Sequence, residues 1–213
     1  MGPWMVLLVG LLYIVAFGAL GLVRREPLSL RFAVESLGFT ALIYGIYWVS
    51  GFLMSPILFL ILLYVLTMRA QILVDVGNLA VRRGRWDMAR GLYRLGERLS
   101  VADPSRWAAR INTGASFLKE GRLEEAIQAL SPLLENAEKG RLAPKHEAAC
   151  RYNLGLALMR SGRCAEAVHQ LNEVVELLPG SIYAIGANAE LKRYRKTATG
   201  QDKPCESETD TKP

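Results

Sequence analysis

The feature that most constrains this chain is a pattern of three small residues that occurs three times with the same internal spacing. In each copy a first glycine is followed by a second glycine seven residues later and by an alanine twelve residues later. The three copies are Gly77, Gly84 and Ala89; Gly114, Gly121 and Ala126; and Gly155, Gly162 and Ala167. Their first glycines lie 37 and 41 residues apart. Self-similarity at this period is typical of stacked helical units.

Each copy predicts a helix, a turn and a second helix. The first glycine and the alanine are small enough to let the two helices pack closely, and the second glycine tolerates the positive φ that often ends a helix. In the last copy we expect a buried seam of Leu154, Leu158, Ala167, Leu171 and Val174. The units are predicted at residues 70–99, 106–136 and 146–179, which makes the fold an all-α solenoid.

The last copy also identifies a family. Its Leu154-Gly155, Ala167 and closing Pro179 resemble the tetratricopeptide repeat, and the match weakens toward the first copy, where Val76 stands in place of the leucine. The resemblance implies about three stacked units whose first helices line an inner groove for a protein or peptide partner.

After the third unit we predict a capping helix at 182–196 that begins after Ser181. Its Ile182, Ile185, Ala189 and Tyr194 are expected to cover the open edge of the array and keep it soluble. The repeat domain therefore spans 70–196. Residues 197–213 are polar with no apolar period, and we predict a disordered tail there.

The N-terminal third predicts a transmembrane region at residues 1–69. Residues 1–68 hold five charges, and Pro3–Val23 is long enough to cross a bilayer as a helix at 3–23. The 32 uncharged residues from Leu37 to Met68 exceed one crossing. Because serine is a good N-cap and proline suits the first helical position, Ser55-Pro56 divides this run into helices at 33–52 and 56–74.

Two alternatives stay open in this region: a cleaved signal peptide at the N-terminus, and two crossings instead of three. Three crossings place Arg24 and Arg25 on the same side as Arg69 and Arg82, in agreement with the positive-inside rule. We therefore predict an integral protein of the cell (plasma) membrane with a cytoplasmic repeat domain. No helix breaker other than the first landmark glycine occurs between Met68 and Val81, so the last crossing is predicted to continue into the first repeat.

The candidate binding site follows from the repeat register. Arg82, Lys119 and Arg160 each come five residues after a first glycine, so stacked units align them along one side of the groove. The other predicted groove residues are Asn78, Asn112, Leu118, Tyr152, Asn153, Leu156 and Met159. This mixture suits a peptide that carries acidic residues between apolar anchors; the alternative is an ordinary solvated helix surface.

The remaining patterns exclude several function classes. Residues 69–196 carry 21 Lys or Arg against 14 Asp or Glu, but no basic run interleaved with aromatics points to nucleic acid. His146 and His169 do not form a two-histidine zinc motif, and neither a phosphate-binding glycine loop nor a nucleophile elbow occurs. We predict no enzyme, no catalytic or metal-binding residue, no cofactor and no small-molecule substrate.

The sequence thus predicts a membrane-anchored scaffold or adaptor that recruits or organises a partner at the cytoplasmic membrane surface. The partners expected are a protein or peptide and the lipid bilayer. The alternative function is a structural subunit or assembly factor of a larger membrane complex, in which the crossings make the specific contacts.

Overall fold

The computed structural model describes residues 4–23, 30–52, 54–100, 103–138 and 142–199. Within these ranges the chain forms nine helices and no strand, which confirms the all-α prediction. The helices are α1 (Trp4–Val23), α2 (Leu30–Ser50), α3 (Pro56–Arg82), α4 (Trp86–Arg98), α5 (Asp103–Glu120), α6 (Leu123–Glu138), α7 (Pro144–Arg160), α8 (Cys164–Leu177) and α9 (Ile182–Thr199).

Helices α1, α2 and α3 pack into a bundle with an apolar outer surface. Phe59 and Leu63 of α3 are fully buried at its centre. The hydroxyl groups of Tyr13 and Thr67 lie 2.5 Å apart and join α1 to α3. On the outside, Val49 is 92% exposed. An exposed apolar surface of this kind is typical of a site that contacts another protein or a membrane.

Two of the described helices, Leu30–Ser50 and Pro56–Arg82, are long and apolar enough to cross a membrane. The apolar stretch of α1, Trp4–Leu20, is shorter. A third crossing and the cytoplasmic side of the array stay predictions. Arg24 and Arg25, which carry part of the orientation argument, lie outside the described residues.

The helix boundaries in the bundle follow from local chemistry. Helix α2 begins at Leu30, three residues before the predicted start, where Arg31 Nε and Glu35 Oε1 form an (i, i+4) pair at 3.2 Å that supports the first turn. It ends before Gly51, which has φ +68. Helix α3 begins at Pro56 as predicted, but the Ser55 side chain makes no capping hydrogen bond. The start is explained by Pro56 alone, because proline is favoured at the first position of a helix.

Helix α3 runs without interruption from the bundle into the first repeat unit. Its 27 residues give a length of about 40 Å at about 1.5 Å per residue, whereas the hydrocarbon core of a bilayer is about 30 Å thick. One end of the helix belongs to the apolar bundle, and the other packs against α4 through Val74 and Val81.

The array consists of the pairs α3 and α4, α5 and α6, and α7 and α8, closed by α9. Each first helix also contacts the first helix of the next unit, so α3, α5, α7 and α9 form one layer. This is the layer that carries the predicted groove residues.

The structure gives a physical reason for each landmark of the repeat. A Cβ on Gly155 would lie 2.9 Å from Leu171 Cδ2, and one on Gly114 would lie 2.5 Å from Leu130 Cγ. The first glycine therefore leaves space for the leucine side chain that follows it by sixteen residues on the second helix. Gly77 stands against Tyr93 at the same offset. The second glycines have φ values of +70, +88 and +84, and the three alanines are fully buried.

The capping helix is present, but its register differs from the prediction. The Oγ of Ser181 accepts the Ala184 N–H at 3.0 Å, as a cap should. The buried face is then Ala184, Ala187 and Leu191, whereas Ile182 is 76% and Ile185 63% exposed. The prediction that Ile182, Ile185 and Ala189 cover the array is wrong, because all three are exposed and the face of α9 with Ala184, Ala187 and Leu191 is the one that packs against α7 and α8.

The first three residues of the predicted tail, 197–199, belong to α9, since this helix continues to Thr199. The remaining residues of the tail, 200–213, lie outside the described part of the chain.

Candidate functional site

Three exposed cations stand near the C-terminal ends of the first helices of the array. Arg82 ends α3, Lys119 is the penultimate residue of α5 and Arg160 ends α7. Within the described ranges none of them forms an ion pair, whereas Arg90 and Arg151 do. Because packed helices lie about 8–10 Å apart, we expect the three charges at about that spacing. We call Arg82, Lys119 and Arg160 the cation row.

Two equivalent asparagines lie two turns before the cation row on the same helices. The Nδ2 groups of Asn112 and Asn153 each donate to the carbonyl four residues earlier, at 2.8 Å in both cases. Each therefore keeps its Oδ1 as an acceptor for a ligand. Backbone N–H groups of a bound peptide are suitable donors for these oxygens.

The equivalent position on α3 is Asp75, which the sequence analysis did not single out. It is exposed, and its Oδ1 accepts a hydrogen bond from Gln71 Nε2 at 3.3 Å. Counting back seven residues from Arg82, as from Lys119 to Asn112, would have found it. The inner layer therefore carries an exposed carboxylate, Asp75, on the same helix as Arg82.

Asn78 has a structural role in addition to its position on the inner face. Its Oδ1 accepts the hydroxyl hydrogen of Tyr93 at 2.8 Å, which ties α3 to α4. Burial raises the pKa of Tyr93 to about 12, so the hydroxyl is neutral and able to donate at physiological pH.

The apolar residues of the predicted groove divide into two groups. Leu118 is only 3% exposed and belongs to the core between the second and third units, so the structure removes it from the groove. Tyr152 contacts Tyr183 of α9, with the two rings tilted and their centroids 5.9 Å apart. Leu156 and Met159 are half-buried and still offer apolar surface beside Arg160.

An ion cluster around the buried Arg90 side chain, next to Lys119, was missed by the sequence analysis. The Arg90 guanidinium pairs with Asp87 at 2.6 Å and with Glu120, and it lies over the Phe117 ring at 4.7 Å from the centroid. Arg122 lies 4.8 Å from the same centroid. This cluster fixes the end of α5 that carries Lys119. The pair that joins two helices, Arg90 with Glu120, spans 30 residues, and no local pattern signals it.

In the described segments no group of three or more His, Cys, Asp or Glu side chains is arranged to hold a metal ion. The Cys150 thiol is fully buried and donates to the Leu130 carbonyl at 3.4 Å. Burial raises its pKa to about 12. Since the thiolate is the reactive form, this thiol is inert in the folded array.

Comparison with known proteins identifies the central part of the array. A family model described as the tetratricopeptide repeat matches residues 107–179, which run from α5 through α8. No curated protein and no solved structure gives a significant match to the chain.

Proposed function

Because residues 107–179 are tetratricopeptide repeats, we propose that the chain is a membrane-anchored, non-catalytic adaptor whose array recruits a protein or peptide partner at the cytoplasmic membrane surface. Repeats of this family are protein-interaction modules, and the inner layer of first helices is the surface that combines exposed cations with free amide acceptors. The lipid bilayer is the second partner, and the apolar bundle of α1, α2 and α3 anchors the chain in it.

The observation that carries this proposal is the continuity of α3. The same helix contributes Phe59 to the core of the apolar bundle and Val74 to the core of the first unit. A partner bound to the array is then held at a fixed distance from the bilayer, because a helix of this length bends little without a proline or an inserted side chain.

The chemistry of the inner face specifies the kind of partner. A peptide in the polyproline II conformation advances about 3.1 Å per residue with three residues per turn, so cations about 8–10 Å apart match acidic side chains at every third position, which lie on one face of the peptide. The Oδ1 atoms of Asn112 and Asn153 accept peptide N–H groups, and Leu156 with Met159 receives an apolar side chain. We expect Asp75 to repel an acidic residue at the α3 end, so the strongest contacts lie on α5 and α7.

Partner capture from membranes tests the proposal. The change is Arg82→Ala, Lys119→Ala and Arg160→Ala together, and the control removes three other exposed cations, with Arg85→Ala, Lys145→Ala and Lys192→Ala. We expect the first variant to lose the partner and the control to retain it. Equal recovery of the partner by both variants would show that the cation row does not bind it.

A second function, the structural subunit or assembly factor, is favoured by the outer surface of α2. Nothing lies within 4 Å of a Cβ placed on Gly45, and Trp48 is 72% exposed. With Ala41 this makes a small-residue face suited to another helix. If Gly45→Leu dissociates a complex that the cation-row variant leaves intact, the subunit role is correct instead of the adaptor role.

Localisation in the cell membrane with a cytoplasmic array is part of the proposal and is tested separately. A reporter that is active only in the cytoplasm, fused after Pro213, is expected to be active. A reporter that works only outside the cytoplasm should be silent at this position, and activity there would contradict the three-crossing topology.

A further inference from the structure

The C-terminal end of α4 returns to the level at which α3 leaves the bundle. A Cβ on Gly96 would lie 3.2 Å from the Ala70 carbonyl oxygen and 3.5 Å from Leu73 Cβ. Ala70 follows Arg69, whose Nη1 lies 2.8 Å from Glu35 Oε2 of α2. The last turn of α4 is therefore next to the first turn of α3 beyond this ion pair.

The surface of the hydrocarbon core falls in the same interval on α3. Arg69 is the first charged residue after the apolar run and Asp75 is the next. A core about 30 Å thick takes about 20 helical residues, which from Pro56 reaches the Asp75 region. The boundary thus lies between Arg69 and Asp75, and the segment of α3 that Gly96 contacts lies inside that interval.

This end of α4 has the composition of a membrane-surface segment. Leu95 is 45% and Leu99 38% exposed, and they stand four residues apart on one side. Arg94 and Arg98 form an adjacent exposed row. Neither arginine has an ion pair within the part of the chain that the structure describes, although Arg110 on the neighbouring helix pairs with Glu97 at 2.7 Å. We call residues 94–99 the α4 end.

We propose that the α4 end docks on the bilayer surface, with Leu95 and Leu99 among the headgroups and with Arg94 and Arg98 bound to the phosphates of anionic lipids. The inference rests on the proposed membrane anchoring. Lipid is the expected occupant because the exposed apolar surface continues from α3 to the α4 end, with Ile72 of α3 37% exposed beside it. Leucine and arginine side chains are also suited to the boundary between acyl chains and headgroups.

Docking would give the array a second contact with the membrane besides α3. Helix α3 alone fixes the height of the array but not its tilt, since a single helix can lean in the bilayer. With the α4 end on the surface, the array is held in one orientation. Arg82 then lies 7 residues beyond Asp75 and 13 beyond Arg69, which places it about 10–20 Å along the helix from the boundary and clear of the headgroups.

Photo-crosslinking of the full chain in vesicles tests the contact. A benzophenone amino acid replaces Leu99 at the α4 end or Met88 at the opposite end of α4, which is 50% exposed. The vesicles contain equimolar phosphatidylcholine and phosphatidylglycerol. We expect lipid adducts from position 99 and few from position 88. Equal adduct yields at the two positions would overturn the inference.

Lipid selectivity tests the role of the arginines. At position 99 we expect captured phosphatidylglycerol to exceed phosphatidylcholine, and the double variant Arg94→Ala, Arg98→Ala to lower this ratio by up to about fivefold for each arginine. The matched control, Arg83→Ala with Arg85→Ala, changes the same charge at the far end of the helix pair and should leave the ratio unchanged. A ratio that stays the same in the first variant contradicts the lipid contact of Arg94 and Arg98.

A probe at Ile61, which is 54% exposed on α3, separates this inference from the proposed function. Adducts at 61 without adducts at 99 mean that the chain is in the bilayer and the α4 end does not dock. A lack of adducts at both positions overturns the membrane anchoring and the docking together.

Discussion

Substitution of the first glycine of the second unit is the sharpest test of the repeat packing. In Gly114→Ala the new Cβ would lie 2.5 Å from Leu130 Cγ and 2.6 Å from Leu130 Cδ2, and Leu130 is fully buried. The added methyl group therefore has no free space. The matched control is Gly91→Ala in α4, where nothing lies within 4 Å of the new atom.

The two variants share one favourable effect and differ in one unfavourable effect. Alanine in place of glycine inside a helix stabilises by up to about 1 kcal/mol at either position. Forcing an extra carbon into a packed core costs about 1–3 kcal/mol, and this applies to Gly114 alone. Because the helix propensity term cancels, the stability difference between the variants measures the clash.

Thermal unfolding of the full chain in detergent micelles, followed by circular dichroism, gives the comparison. For an array of this size about 1 kcal/mol corresponds to roughly 4 °C, so we expect Gly91→Ala to melt higher than Gly114→Ala by about 4–12 °C. Adding Leu130→Ala to Gly114→Ala should cost less than Leu130→Ala alone, since the new methyl group then fills part of the cavity. If Gly114→Ala melts as high as Gly91→Ala, the close approach of α5 and α6 is wrong.

Three further predictions follow from the buried polar groups of the array. First, burial raises the pKa of Tyr93 to about 12, so this residue should contribute stability that is complete below pH 10 and lost as the pH rises toward 12; urea titrations over that range should show the loss in the wild type and a smaller loss in Tyr93→Phe. Second, Glu120→Gln weakens the pairing of Arg90, which is 7% exposed, and should destabilise the array by roughly 1–3 kcal/mol, whereas Glu166→Gln in an exposed pair should leave the melting temperature unchanged; equal shifts in the two variants would contradict this assignment. Third, Cys150 should resist iodoacetamide until the array unfolds, as followed by mass spectrometry, and rapid alkylation of the folded chain would show that its burial is incomplete.

The repeat landmarks are predictable from sequence because each one meets a requirement of the backbone. The second glycines occupy a left-handed conformation, with φ between +70 and +88, that other residues rarely adopt. The first glycines leave room for a side chain at a fixed later position. Each of these requirements involves only a few residues, and their fixed spacing along the chain is what identifies the helix-turn-helix unit.

The lining of the groove was harder to predict because exposure depends on which helix covers each position. Leu118 and Met159 both come four residues after a first glycine, so the repeat register predicts the same place in the groove for both. Leu118 is buried in a core shared with Leu154 and Leu158 of the following unit, whereas Met159 in the last unit is half-buried. The same position therefore changes character along the array.

Long-range ion pairs were also beyond the sequence analysis. Glu35 lies near the start of α2, and its pairing with Arg69 spans 34 residues. Arg90 meets Glu120 only after α5 packs against α4. Opposite charges are common on helices, and only the packing selects the pairs that form.

The most direct test of the adaptor proposal compares the two faces of the array in intact membranes. A benzophenone amino acid replaces Ala115, half-buried on the inner layer between Asn112 and Lys119, or Gln128, exposed on α6 of the outer layer. We predict one protein adduct of defined mass from position 115, none of that mass from position 128, and loss of the adduct when Arg82, Lys119 and Arg160 are changed to alanine. The same adduct from both faces, or an adduct that persists in the triple variant, would contradict a partner held in the inner groove.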